Sequence, residues 1–107
     1  MPTTERDYLS EFTEFDRLRV RIALIDGAVT SFTVQYETLI DDRWYPVVRY
    51  DNAHGRGHRD TLNARGETTA KDWLPDHVNH QDALTTAQND LRINWERYRS
   101  TFLERVG

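Results

Sequence analysis

The stretch RVRIALIDGAVTSFTVQYETLI, residues 19–40, decides the fold. Val20, Ile22 and Leu24 alternate with Arg19, Arg21 and Ala23, and Asp26-Gly27 follows, a pair suited to the positive φ angles of a two-residue hairpin turn. Beyond the turn, Val29 to Ile40 places Phe32, Val34, Tyr36 and Thr38 on one side of an extended chain and Ser31, Thr33, Gln35 and Glu37 on the other. A period of two on both arms predicts antiparallel strands with one face in a core and one in solvent.

Working outward, Asp41-Asp42 reads as the next turn and Arg43 to Asp51 as a third strand, in which Pro46 calls for an edge position or a bulge. A glycine-containing loop, 52–57, leads to a last hairpin of His58 to Leu62 and Thr68 to Trp73 around Asn63-Ala-Arg-Gly66. Upstream, Tyr8, Leu9, Phe12, Phe15 and Leu18 recur at spacings of three and four, which predicts an amphipathic helix over 1–18 with Thr3 or Thr4 as N-cap. Downstream, Leu74-Pro75 closes the sheet. A helix is expected to begin between Asn79 and Asp82 and to carry the stripe Leu84, Ala87, Leu91, Trp95, Tyr98, Phe102 and Val106. The expectation is an α+β fold in a single domain, 1–107: an N-terminal helix over 1–18, an antiparallel meander of four to five strands over 19–74, and a helical C-terminal segment over 75–107 packed on the sheet.

Composition narrows the function classes. At 107 residues the chain has room for one core, which three Trp, five Tyr and four Phe can fill although hydrophobic residues make up only 37%. Zero cysteines exclude disulfides, Cys-ligated metal and thiol catalysis, and fit a reducing compartment, so the expected location is the cytoplasm. The longest uncharged apolar run, Ile22 to Ile25, falls far short of the ~20 residues a membrane helix needs, and no signal-peptide core is visible, so a soluble, unprocessed chain without membrane partners is expected. A net charge of −4 argues against a general duplex-DNA binder. Repeats, a Walker-type loop and a Rossmann fingerprint are all absent, which excludes nucleotide-dependent mechanisms and implies no cofactor.

Chemistry concentrates in Tyr50-Asp-Asn-Ala-His54-Gly-Arg56-Gly-His58-Arg59-Asp60. Gly55 and Gly57 permit positive φ and close approach to a ligand, while Arg56 and Arg59 offer forked donors for phosphate oxygens. His54 and His58 could then act as base and acid in metal-independent RNA cleavage through the 2′-hydroxyl, with Asp51 or Asp60 orienting an imidazole and Tyr50 contacting RNA. The rival reading is a rigid surface turn with Asp51-Asn52 as its Asx element and Arg–Asp pairs bracing the sheet edge. His77 and His80 could complete a zinc set with His54 and His58, but the spacing matches no metal motif, and Asp76 and Asp82 suit helix capping. Along the C-terminal helix, Arg92, Arg97, Arg99 and Arg105 surround Trp95 and Tyr98, a combination able to stack on bases and equally at home on a solvated face.

Val48 to Asp60, through Tyr50-Asp51-Asn52 and Gly55-Arg56-Gly57-His58, resembles the motif of the TumE-like toxins of prokaryotic toxin–antitoxin pairs, and also that of small uncharacterised prokaryotic proteins. Tyr50, Asp51, Asn52, Gly55, Arg56, Gly57 and His58 occupy matching positions; Ala53-His54 and the long C-terminal helix depart from the pattern. The resemblance implies a toxin-like protein of a toxin–antitoxin or defence locus, with a cognate antitoxin as partner and RNA as the target of a possible endoribonuclease. The alternative is a non-enzymatic protein–protein interaction module, homodimeric through Trp95, Tyr98 and Phe102. A third, an adaptor or inhibitor using the acidic stretch 67–90 against a basic partner, rests on charge alone.

Overall fold

The computed structural model describes residues 2–106. Six strands, β1 (Thr3–Thr13), β2 (Asp16–Ile25), β3 (Ala28–Ile40), β4 (Arg43–Asp51), β5 (His58–Leu62) and β6 (Thr68–Trp73), precede one helix, α1 (His80–Val106). The strands form a single antiparallel meander in the order β1-β2-β3-β4-β5-β6. The turns follow the sequence. Asp26 and Gly27 take φ of 50° and 79°, and Asp41 and Asp42 take 50° and 63°, the left-handed pairs that a tight hairpin between twisted strands requires. Pro46 sits in an interior strand at a bulge: Val48 opposes Tyr36 and Pro46 opposes Glu37, leaving Val47 as the extra residue.

The N-terminal helix expected over 1–18 is not formed. Residues 3–13 are a strand, and Leu18 belongs to the next one, so the sheet has six strands rather than four to five. The spacing that suggested a helix is shared by a strand with alternate residues inward. Opposite β2, Tyr8 pairs with Val20, Ser10 with Leu18 and Arg6 with Ile22, and Phe12 stacks on Trp95 at 5.4 Å. Leu9 and Phe15, which a helix would have buried, are 48% and 49% exposed. Pairing with β2 supplies the backbone partners that a helix would have supplied internally, and Thr and Tyr suit a pleated surface.

One helix covers one face of the sheet, packing mainly over β3 and β4. Leu18, Val20, Phe32, Val34, Tyr36, Val48 and Tyr50 meet Leu84, Ala87, Leu91 and Phe102 there. α1 is capped by Asn79, whose Oδ1 accepts the Asp82 N–H at 2.8 Å, with Asp82 in the first turn. The stripe considered for a homodimer is turned inward. Phe102 is 3% exposed and 6.1 Å from the Tyr45 ring, Trp95 stacks on Phe12, and the Tyr98 hydroxyl is bonded within the chain. Of the three side chains, Phe102 belongs to the buried core, while Trp95 and Tyr98 are half-buried and packed against it. No helix among the described residues is long and apolar enough to cross a membrane.

Candidate functional site

Strand alternation splits the 50–60 motif between the two faces of the sheet. Asp51 pairs with His58 across β4 and β5, and Arg49 with Asp60, so Asp51, His58 and Asp60 share the face opposite α1, while Tyr50 and Arg59 face the helix. His54 and Arg56 lie in the exposed loop beyond the strand ends. Of the residues proposed from sequence as one catalytic and phosphate-binding set, Asp51 and His58 meet on the open face, Tyr50 and Arg59 turn to the helix, and His54 and Arg56 stand in the loop.

On the open face, His58 is 2% exposed. Its Nε2 lies 2.9 Å from Asp51 Oδ1 and its Nδ1 3.2 Å from Asp60 Oδ1, and the Trp73 ring covers it edge-on at 5.0 Å. Neither ring nitrogen is aligned for a hydrogen bond with its carboxylate neighbour. Lys71 adds an ammonium 3.3 Å from Asp60. Among the described residues this triad is the one group of three whose donor atoms could converge on a cation. The Lys71 ammonium already neutralises one carboxylate, and the two imidazole nitrogens face different carboxylates, an arrangement suited to bracing the β4–β5–β6 corner. His77 and His80 do not join it: His80 Nδ1 instead accepts from Asn52 Nδ2 at 3.0 Å.

The loop is built from its own bonds. Asp51 Oδ1 accepts the Ala53 N–H at 2.9 Å, the Asx element expected from sequence. Asn52, 6% exposed, does more than the sequence suggested: its Oδ1 accepts the Phe32 N–H at 3.0 Å, and its Nδ2 donates to the Thr30 carbonyl as well as to His80. It thus ties the loop to β3 and to the start of α1. His54 and Gly55 take φ of 67° and 83°. Gly57 has a different reason: a Cβ there would stand 2.9 Å from Leu74 Cδ1 and 3.2 Å from Ala83 Cβ, so its close approach is to α1 and the 74–75 segment, not to a ligand. Arg56 donates to the Leu74 carbonyl at 2.8 Å and lies over Trp73.

On the helix face, Asp90 is the hub. Its Oδ2 accepts the Tyr50 hydroxyl at 2.7 Å and the Tyr98 hydroxyl at 2.6 Å, and its Oδ1 accepts from Asn94 at 2.7 Å. Burial opposes the Asp90 charge, but these bonds and the Arg59 guanidinium overcome it and hold the carboxyl below its ordinary value. The same burial and the Asp90 carboxylate push the Tyr50 and Tyr98 hydroxyls up. Arg59 donates to Tyr98 Oη and to Asp72, each at 2.9 Å; burial works against its charge and Asp72 more than restores it. Beside this network, the C-terminal half of α1 and strands β4–β5 enclose a cleft of about 300 Å³ walled by Arg59, Arg97 and Arg105. The sequence singled out Arg97 and Arg105 only as part of a helix surface, because the strand that completes the cleft lies some 40 residues away.

An α+β chain with a one-sided six-stranded meander, a buried His–carboxylate corner and an arginine-walled cleft is the class that fold and site define. The chain belongs to the DUF7718 family, a domain of unknown function whose family model matches residues 1–107. No curated protein and no solved structure matches the sequence.

Proposed function

We propose that the protein is a non-enzymatic protein-recognition module whose edge strand β1 pairs with an extended, basic segment of a partner protein. The observation that carries this reading is the state of β1. It is 11 residues long, paired on one side only, and exposed from Thr3 to Leu9. Such an edge offers a row of backbone N–H and C=O groups to an added strand. Glu5, Asp7 and Glu11 lie on the face away from α1 with Leu9 between them, so a strand carrying Lys or Arg alternating with apolar residues complements it. Asp7 is engaged only by Arg21 at 3.3 Å in an exposed pair, which yields readily to a competitor. The cognate antitoxin expected from the toxin resemblance is one protein that would supply such a strand.

The engaged state of Asp51 and His58 supports a bracing role over the base and acid roles of a ribonuclease, because general acid–base work requires reach to the substrate's proton. Titration of the labelled protein with an alternating Lys–Val peptide of about eight residues, long enough to pair with most of β1, tests the reading by amide shifts at low ionic strength. Shifts confined to β1 and β2, and lost in Glu5→Lys/Glu11→Lys, are expected. Shifts elsewhere, or none, overturn it. Incubation of total RNA with wild type and with His54→Ala is expected to leave RNA intact in both; cleavage by the wild type that the folded variant loses establishes the ribonuclease instead.

A further inference from the structure

The cleft between α1 and β4–β5 combines an apolar floor with cationic walls. Its floor is apolar: Leu62 and Phe102 are 1% and 3% exposed. Its walls carry three guanidinium groups, Arg59, Arg97 and Arg105, with the hydroxyls of Thr61 and Thr101 between them, and no Asp or Glu lines it. Arg59 is met by Asp72 at 2.9 Å and Asp90 at 3.9 Å, so the excess positive charge at the concavity comes from Arg97 and Arg105.

The three arginines are not equally committed. Arg59 is fixed in place by Asp72 and the Tyr98 hydroxyl. Arg97 lies against the Tyr98 ring at 5.3 Å, and Arg105 reaches only Thr69 Oγ1, at 3.5 Å. Among the described residues no carboxylate stands within ion-pair distance of either. One positioned and two uncommitted guanidinium groups match a dianion with several oxygens better than a single carboxylate, since each fork takes two oxygens side by side. The volume lies at the lower end of small-ligand sites, and the apolar floor calls for a body that leaves water.

We infer that this cleft binds a small phosphomonoester with an aromatic or apolar body, Arg97 and Arg105 clasping the phosphate and Leu62 and Phe102 receiving the body. The site is independent of β1, which lies at the opposite edge of the sheet from the β5–β6 side. Phenyl phosphate, inorganic phosphate and phenol, titrated separately into the labelled protein, test it. Phenyl phosphate is expected to shift Thr61, Thr101 and Phe102 and to bind about tenfold or more tightly than either fragment. Arg97→Gln/Arg105→Gln, at two exposed positions, is expected to weaken it by about tenfold or more while keeping the wild-type urea midpoint. Glu5→Lys/Glu11→Lys is expected to bind it as the wild type does, so that loss of the strand-pairing reading leaves this one standing. Equal affinity for inorganic phosphate, unchanged affinity in the folded arginine variant, or shifts away from the cleft would each overturn the inference.

Discussion

Asn52 shows how a motif can be recognised for the wrong residue. Local spacing assigns the Asx turn to Asp51-Asn52 together, yet the turn belongs to Asp51, and Asn52 reaches Phe32, Thr30 and His80, 20 to 28 residues away. No pattern in the chain displays partners at such distances; only the fold assembles them. The side chain satisfies the buried Phe32 N–H and also holds the Thr30 carbonyl, so Asn52→Ala should cost about 2–3 kcal/mol. His54→Gly, in the same loop but exposed and already at positive φ, should stay within about 0.5 kcal/mol of wild type. Urea denaturation of both variants measures the difference, and an Asn52→Ala midpoint equal to that of the wild type would refute the clamp.

At the scale of elements, period two was legible wherever a strand had one face in the core and one in solvent. Thus β2 and β3 follow from Arg19 to Ile40, with faces as expected, and α1 follows from its apolar stripe. β1 was misread because an edge strand buries little: Tyr8 and Phe12, four apart on its inward face, coincide with a helical repeat, and pairing with β2 is invisible from inside residues 1–18. The candidate site was legible in composition and not in geometry. Eleven residues rich in titratable groups stand out, but alternation sends Asp51 and His58 to one face and Tyr50 and Arg59 to the other. Tyr50 reaches the helix through Asp90, which keys α1 to β4. A double-mutant cycle reads that link: Tyr50→Phe should cost about 1–2 kcal/mol, and its effect in an Asp90→Ala background should shrink by about 1 kcal/mol or more. Additivity within about 0.3 kcal/mol would mean that the helix docks through its apolar stripe alone.

Across the whole molecule, a hydrophobic content of 37% and one helix on one face leave polar links to complete the fold, and three of them are carboxylates withdrawn from water. Asp16 accepts from Tyr36 at 2.6 Å and Thr38 at 3.0 Å, Asp90 gathers Tyr50 and Tyr98, and Glu37, 5% exposed on the open face, is clasped by Arg17 at 2.7 Å, Arg19 and Gln35. Burial opposes the Glu37 charge and these donors overcome it, so its folded value lies below the ordinary 4.5; Asp90 likewise lies below 3.8. The stability these two contribute is present above those ordinary values and drains away as pH falls through the lower folded ones. The tyrosines set the other limit. Burial and the neighbouring carboxylates raise Tyr36, Tyr50 and Tyr98 above the ordinary 10.0, so the stability each contributes is full below that pH and is lost as pH climbs beyond it. The urea midpoint should therefore be level from about pH 5 to 9 and decline on both sides. Glu37→Gln should flatten part of the acid decline, and Tyr36→Phe/Tyr50→Phe part of the alkaline one, each from a lower plateau because a bonded partner is lost. A midpoint that declines on the alkaline side as steeply in the double tyrosine variant as in the wild type would assign that limit to groups other than these hydroxyls.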